Sequence, residues 1–262
     1  TEDVTFTGDN ESDAQKITVD KDASDFLVTF STLATSTQEE GVSQVPVDVV
    51  FVIDNSNSME EDLPDRQTRL EATLDAVNSS IATVMTSNAE SRVGVVVYGL
   101  EAEVLLPLGH YEPMRDGNYI TLSGHTYHPE SWWEAEGYST EFTASGNHVV
   151  SMDPGERGTN THMGINAGMG LLANAENIGE NNMKHVPALI LLSDGASTSS
   201  GAGDWWNPSG RTGGGTSTAD SYALKVAMNA QYNKQQVNLH YGVEDTASDY
   251  ACKIYTIGMG IE

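Results

Sequence analysis

Cysteine is almost absent from this chain of 262 residues. It occurs once, as Cys252, so no disulfide can form within the chain. That absence suits a cytoplasmic protein or a surface protein of the Gram-positive type, which commonly does without disulfides. Because Cys252 lies beside Ala251 and a largely apolar run, we predict that it is a small core residue in a strand.

Basic residues are also scarce, since 12 Lys and Arg stand against 38 Asp and Glu for a formal net charge of −26. Such a surface repels nucleic-acid phosphates and anionic lipids, so we expect neither as a partner. No apolar run approaches the roughly 20 residues that span a bilayer. No basic segment followed by an apolar one opens the chain, so we expect any secretion signal to have been removed.

The first 46 residues differ in composition from the rest. They are rich in Asp, Glu, Thr and Ser and show no helical period. Two strand-like runs, Gln15–Val19 and Phe26–Phe30, lie between polar turns. We therefore predict that residues 1–46 are β-strands of a separate, stalk-like module that joins the main domain at Pro46.

Strands alternate with helices from Asp48 onward. The run Val49–Ile53 is continuously apolar, which is typical of a strand buried on both faces of a parallel sheet. Apolar residues at steps of four and three predict an amphipathic helix over 68–85. Further strands are predicted at 92–99, 103–108 (an edge strand), 186–193 and 253–258, and further helices at 160–175 and 219–235. The pattern predicts a doubly wound α/β domain over 47–262, with a mostly parallel sheet and helices on both faces.

Two segments, at about 109–158 and 196–218, are longer than ordinary connections and are interpreted as insertions. Together they hold every tryptophan of the chain: Trp132, Trp133, Trp205 and Trp206. Exposed tryptophans are common at interface hot spots, so these four could form a ligand-binding rim. The alternative is that each pair is buried and gives its insertion a small core.

Three polar clusters follow or precede predicted elements at one edge of the sheet. The first is Asp54-x-Ser56-x-Ser58 after the first strand, the second Gly-Thr159-x-Thr before a helix, and the third Asp194-Gly after a buried strand. Because ligands bind at the carboxyl ends of parallel strands, we expect these clusters to converge. Their oxygen donors suit Mg²⁺, or alternatively Ca²⁺ or Mn²⁺, better than Zn²⁺. The alternative is a purely structural role, in which these side chains are ordinary helix caps.

These three clusters, in this order and context, resemble the metal-ion-dependent adhesion site (MIDAS) of von Willebrand factor type A domains. The resemblance covers about Val47 to Gly260. It implies that Ser56, Ser58 and Thr159 supply hydroxyls to the metal, while Asp54 and Asp194 act largely through water or hydrogen bonds. It also implies a further helix and strand after 260, either on a longer chain or on another chain.

Within this family the insertions, the β-like leader and the lack of disulfides most resemble Gram-positive bacterial surface and pilus-tip adhesins. The resemblance implies an extracellular module, on the cell surface or cell wall. A protein ligand, on a host cell, a neighbouring cell or the extracellular matrix, would present an Asp or Glu to the open metal position. It also implies contacts with other pilus subunits. The alternatives are a structural subunit of a surface fibre, stabilised by the metal, and an intracellular scaffold.

Other candidate motifs give weaker evidence of function. His125-x-x-His128 could begin a zinc site, but no cysteine or carboxylate pattern completes it. Nothing resembles a phosphate loop or a nucleophile elbow, so we expect no enzymatic activity. If the leader resembles pilin domains, Lys16 or Lys21 could join an isopeptide bond.

Overall fold

Two units make up the chain, Thr1–Val42 and Ser43–Glu262. The computed structural model describes residues 2–6, 15–19, 45–64, 66–128, 137–152, 158–176, 178, 184–195, 197 and 216–259. In the first unit, β1 (Glu2–Phe6) and β2 (Gln15–Val19) pair in antiparallel orientation. The strand predicted at 15–19 is therefore present, whereas the one predicted at Phe26–Phe30 lies outside the described residues.

The second unit is built of alternating strands and helices. In chain order these are β3 (Val47–Asp54), α1 (Arg69–Ser87), β4 (Arg92–Tyr98), β5 (Ala102–Gly109), β6 (Ile120–His128), β7 (Gly137–Ala144), β8 (His148–Met152), α2 (Thr161–Ala173), β9 (Val186–Ser193), α3 (Thr216–His240) and β10 (Lys253–Gly258). Five of the strands form one sheet in the order β10-β9-β3-β4-β5. Adjacent strands of this sheet are parallel, except that the edge strand β5 pairs antiparallel with β4. The mostly parallel sheet and its edge strand are confirmed.

Side chains of β3 alternate between two hydrophobic cores because successive residues of a strand point to opposite faces. Val49, Phe51 and Ile53 face a core that contains the buried side of α1. Val50 and Val52 face a second core, to which α2 and α3 contribute. Helices thus cover both faces of the sheet, and the predicted doubly wound fold is confirmed. No helix in the described part of the chain is long and apolar enough to cross a membrane.

The start of α1 is set by a capping box. The Thr68 hydroxyl accepts a hydrogen bond from the Glu71 amide (3.1 Å), and the Glu71 carboxylate accepts one from the Thr68 amide (2.9 Å). These reciprocal bonds satisfy two backbone groups that a helix start leaves without partners. They fix Arg69 as the first helical residue, directly after the loop that follows β3.

The insertion at 109–158 contains a second sheet, with the antiparallel order β6-β7-β8. Ile120, Phe142 and Met152 from this sheet are buried in the core that α1 covers. Asn78 of α1 binds the sheet directly, since its side chain donates to the Ile120 carbonyl (2.8 Å) and accepts from the Tyr119 amide (2.8 Å). The insertion is therefore part of the domain core rather than a long surface loop.

Two glycines let α2 pack closely on the sheet. A methyl group added at Gly164 would lie 2.6 Å from the Tyr98 ring, and one at Gly168 would lie 2.7 Å from Val52. Both distances are too short for a real side chain. The close approach sets the position of the α2 N-terminus, next to Thr159, over the carboxyl edge of the sheet.

Candidate metal centre

The loops after β3 and before α2 are both anchored to the end of β4. The Asn55 amide donates to the Tyr98 carbonyl and the Asn160 amide to the Gly99 carbonyl, each at 2.8 Å. Both amides also lie on buried residues. The anchors bring the segment that begins at Asp54 and the segment that contains Thr159 to one edge of the sheet.

Four of the five predicted donors form a continuous chain of hydrogen bonds. The Asp54 Oδ1 accepts from the Ser56 amide at 2.8 Å. The hydroxyls of Ser56 and Ser58 lie 3.2 Å apart, and the Ser58 hydroxyl donates to Asp194 Oδ1 at 2.8 Å. Residues 136 positions apart in the sequence are thus in direct contact.

The fifth predicted donor, Thr159, lies in the segment that directly precedes α2. It is buried, and its carbonyl accepts a hydrogen bond from the Ser197 hydroxyl at 3.0 Å. Its neighbour Asn160 provides the anchor to β4 described above. Thr161, two residues after Thr159, is the first residue of α2. The four tryptophans predicted as a rim lie outside the described residues.

Asp54 is fully buried, and its environment includes two residues that are not among the five predicted donors. Its Oδ2 accepts from the Ser193 hydroxyl at 2.5 Å and from the Tyr98 hydroxyl at 3.2 Å. Burial raises the pKa of the Asp54 carboxyl, and the nearby Asp194 raises it further, while hydrogen bonds from Ser193 and Ser56 lower it. Burial also raises the pKa of the Tyr98 hydroxyl well above its usual value, so this phenol is a neutral donor.

A positively charged side chain, that of Arg69, lies beside the centre. The sequence did not predict this contact. Arg69 Nη1 donates to Asp194 Oδ2 at 2.7 Å and to the Ser58 carbonyl at 3.2 Å. Its Nη2 lies 2.9 Å from a carboxylate oxygen of Glu61. No local pattern marks this arginine, because its partner carboxylate is 125 residues away.

The inserted sheet contacts the loop that carries the serines. The Asn55 side chain donates to the Thr140 hydroxyl of β7 at 2.8 Å and contacts the Met152 sulfur of β8 at 3.4 Å. His125 of β6 pairs with Glu60 at 3.1 Å. The insertion therefore supports the centre from one side.

The chemistry of the donors suits a hard divalent cation. Three hydroxyls and two carboxylates are all oxygen donors, which Mg²⁺, Ca²⁺ and Mn²⁺ prefer. Within the described residues, no three side chains of His, Cys, Asp or Glu form a cluster. A metal here would therefore depend on hydroxyl ligands to a large extent. Ser56, Ser58 and Thr159 would hold it, with Asp54 and Asp194 orienting them.

Comparison with known protein families finds similarity over one segment of the second unit. Residues 49–120 match the von Willebrand factor type A domain family, so the predicted resemblance is confirmed over this segment. No curated protein matches the chain.

Several solved structures share similarity with the chain. The pilus adhesin RrgA of Streptococcus pneumoniae is 16% identical, with 61% of this chain and 22% of that chain covered and a TM-score of 0.38. The minor pilin PilB of Streptococcus sanguinis is 14% identical, with coverage of 82% and 57% and a TM-score of 0.41. The VWA domain of SpRpn10 is 16% identical, with coverage of 83% and 90% and a TM-score of 0.35. The chain spans less than two thirds of either pilus protein's own length.

Proposed function

We propose that this von Willebrand factor type A domain binds a protein partner through a divalent metal, with Mg²⁺ as the first candidate and Ca²⁺ or Mn²⁺ as alternatives. The hydrogen-bonded chain Asp54–Ser56–Ser58–Asp194 is the observation that supports the proposal most strongly. It joins the donors of two distant segments at the edge of the sheet where ligands bind in such folds. The proposed role is binding without catalysis.

The expected partner chemistry follows from the kind of donors. A metal held mainly by neutral hydroxyls keeps most of its positive charge, whereas direct carboxylate ligands would neutralise it. Asp54 and Asp194 already accept hydrogen bonds from Ser56, Ser193 and Ser58. An exposed Asp or Glu of the partner would then supply the missing negative charge at the open position.

We further propose an extracellular setting, on a cell surface or in a surface fibre. The motifs and the acidic composition support it, and the leader of residues 1–46 would connect the domain to a stalk. Host or neighbouring-cell proteins, matrix proteins and other pilus subunits are the partners that fit this setting. Nucleic acid does not fit, because a net charge of −26 repels phosphate.

Asp54→Ala tests the metal site. We expect Mg²⁺ and Mn²⁺ to bind the wild-type chain and the variant to bind them about 10–100-fold more weakly, because Asp54 orients Ser56 and a group that orients a ligand typically contributes that much. Isothermal titration calorimetry gives the affinities, and circular dichroism checks the fold. Addition of acetate to the Mn²⁺ complex should lower the water-proton relaxation rate as the carboxylate displaces bound water.

Asp249→Ala is the matched control, since it removes an exposed carboxylate far along the chain from the centre. It should leave the metal affinity unchanged. Ser56→Ala removes a buried hydroxyl donor without changing the charge, and it should lower the metal affinity as Asp54→Ala does. Unchanged metal affinity in both site variants would refute the proposed site.

A stabilising role in fibre assembly is the second candidate function. The observation that favours it is burial, since Asp54, Ser56 and Thr159 are each less than 10% exposed. In that case Mg²⁺ would raise the melting temperature or hold subunits together, and acetate would have no effect on the metal's bound water. The relaxation measurement therefore separates the two candidates.

A further inference from the structure

The proposed metal site does not by itself account for Arg69. This residue places a permanent positive charge against a carboxylate that the site uses. Its Nη1 lies 2.7 Å from Asp194 Oδ2, and the Asp194 side chain is only 1% exposed. Since Ser58 occupies Oδ1 at 2.8 Å, both oxygens of Asp194 are engaged by the protein itself.

The arginine is held in place from several directions. Its amide donates to the Glu61 carbonyl at 3.1 Å, and its Nη2 pairs with the Glu61 carboxylate at 2.9 Å. Nη1 also donates to the Ser58 carbonyl at 3.2 Å, on the serine that would ligate the metal. Its side chain is 19% exposed. The guanidinium is therefore a fixed part of the loop rather than a mobile surface charge.

We propose that Arg69 is a built-in counter-charge that weakens metal binding and keeps Asp194 from becoming a direct ligand. This inference rests on the proposed function and refines it. Asp54 and Asp194 are the two buried carboxylates of the centre, and Arg69 offsets the charge of Asp194 more than that of its other partner Glu61, which is 63% exposed and therefore screened by water. A divalent ion at the serines would then be only partly neutralised and would bind a partner's carboxylate more strongly.

The size of the effect follows from Coulomb's law. A unit charge and a divalent ion about 6 Å apart in water repel by an energy that corresponds to roughly a tenfold change in affinity. Removal of the guanidinium charge also releases Asp194 Oδ2 for direct ligation. Both effects should raise the affinity for the metal and lower the affinity of the bound metal for an external carboxylate.

Arg69→Gln and Arg69→Lys separate charge from shape. We expect Arg69→Gln to bind Mn²⁺ and Mg²⁺ about tenfold more tightly than wild type and to bind acetate at the metal less tightly. Arg69→Lys keeps the charge and should stay within about threefold of wild type. Arg66→Gln is the matched control, because it removes an exposed arginine three residues away and should leave the affinity unchanged. Calorimetry on the full chain measures all four proteins, and Mn²⁺ electron paramagnetic resonance reports the change in ligands.

Each outcome decides between the two proposals. If wild type binds the metal and Arg69→Gln binds it no more tightly while remaining folded, the counter-charge is refuted and the metal site stands. Equal changes in the Gln and Lys variants would also refute it, because a purely structural role does not distinguish them. If neither wild type nor Arg69→Gln binds metal, the proposed function fails. Binding by Arg69→Gln alone would support the counter-charge and contradict a metal site in the native chain.

Discussion

Single buried polar groups of the centre are costly to desolvate on folding, and Asp54 is the clearest example. Its carboxyl is completely buried, and desolvation is the largest influence on its pKa. Hydrogen bonds from Ser193 and Ser56 offset only part of this cost, since the pKa stays raised. Buried groups with perturbed pKa values are common at functional sites, where they are retained for binding rather than for stability.

Asp54→Asn should therefore stabilise the metal-free domain. A raised pKa in the folded state means that ionisation opposes folding at every pH above the ordinary carboxyl pKa, so a neutral amide removes that penalty at neutral pH. In a chelating buffer at pH 7 we expect a melting temperature about 2–4 °C higher, which corresponds to about 1 kcal/mol in a domain of this size. Scanning calorimetry measures it.

If the wild type binds Mg²⁺ as proposed, Mg²⁺ should raise its melting temperature, and the same variant should lose that stabilisation because it lowers the charge of the donor set. A lower melting temperature in the chelating buffer would mean that the hydrogen bonds of Asp54 outweigh the cost of its burial.

At the scale of elements, α2 connects core packing to the proposed metal centre. Gly164 lies against the ring of Tyr98, and the hydroxyl of that same tyrosine donates to Asp54. Thr159 precedes this helix by two residues. A shift of α2 away from the sheet would therefore move Thr159 and remove the packing of Gly164 against the Tyr98 ring, so the position of one helix affects the groups around Asp54.

Gly168→Ala and Gly170→Ala should have opposite effects on stability. A methyl group at Gly168 would clash with Val52 at 2.7 Å and Leu189 at 2.9 Å, whereas one at Gly170 meets nothing within 4 Å. We expect a loss of about 1–3 kcal/mol for the first variant. The second should gain up to about 1 kcal/mol from helix propensity. Urea unfolding measures both, and similar values for the two would contradict the close packing of α2.

Elements with a strong hydrophobic period could be predicted, and elements that lack one could not. The steps of four and three that predicted a helix at 68–85 reflect one buried side of α1, while Thr68 caps the helix instead of joining it. Strands β6 and β7 were missed because most of their residues are small or polar. Their buried side depends on few large side chains, such as Ile120 and Phe142.

Seen as a whole, the domain has polar clusters at both ends of β3. Asp54 ends the strand at the proposed metal centre, and Asp48 near its start is also fully buried. Asp48 pairs with Arg92 at 2.6 Å, lies 2.9 Å from His185 and accepts a hydrogen bond from Tyr241 at 2.6 Å. Strands and loops on both sides of β3 are thus joined at the end of the sheet opposite the centre.

Tyr241→Phe should lower stability without changing metal affinity. Burial, followed by the neighbouring Asp48, raises the pKa of the Tyr241 hydroxyl, so it is a neutral donor to a buried carboxylate. Loss of one hydrogen bond to a charged group costs about 2 kcal/mol. Chemical unfolding should show this loss, and Mn²⁺ titration should match wild type. A parallel loss of metal affinity would mean that the two ends of β3 are coupled.

The contact between the Asp54 loop and Asp194 could be predicted because each follows a recognisable strand, and strand ends in a parallel sheet meet at one edge. Ser193 and Arg69 could not, since their roles depend on side-chain directions across distant segments. Arg69 is one of twelve basic residues, and only the fold brings it to Asp194.

The buried contribution of β6–β8 has a consequence for protein engineering. Variable loops can often be exchanged between related scaffolds because the framework beneath them is complete without them. Here Ile120, Phe142 and Met152 belong to that framework, and Asn78 of α1 is bonded to the insertion. A chimaera that replaced residues 109–158 with a short loop would leave part of the apolar side of α1 uncovered. Any transfer of this insertion to a relative would have to include the matching side chains of the helix.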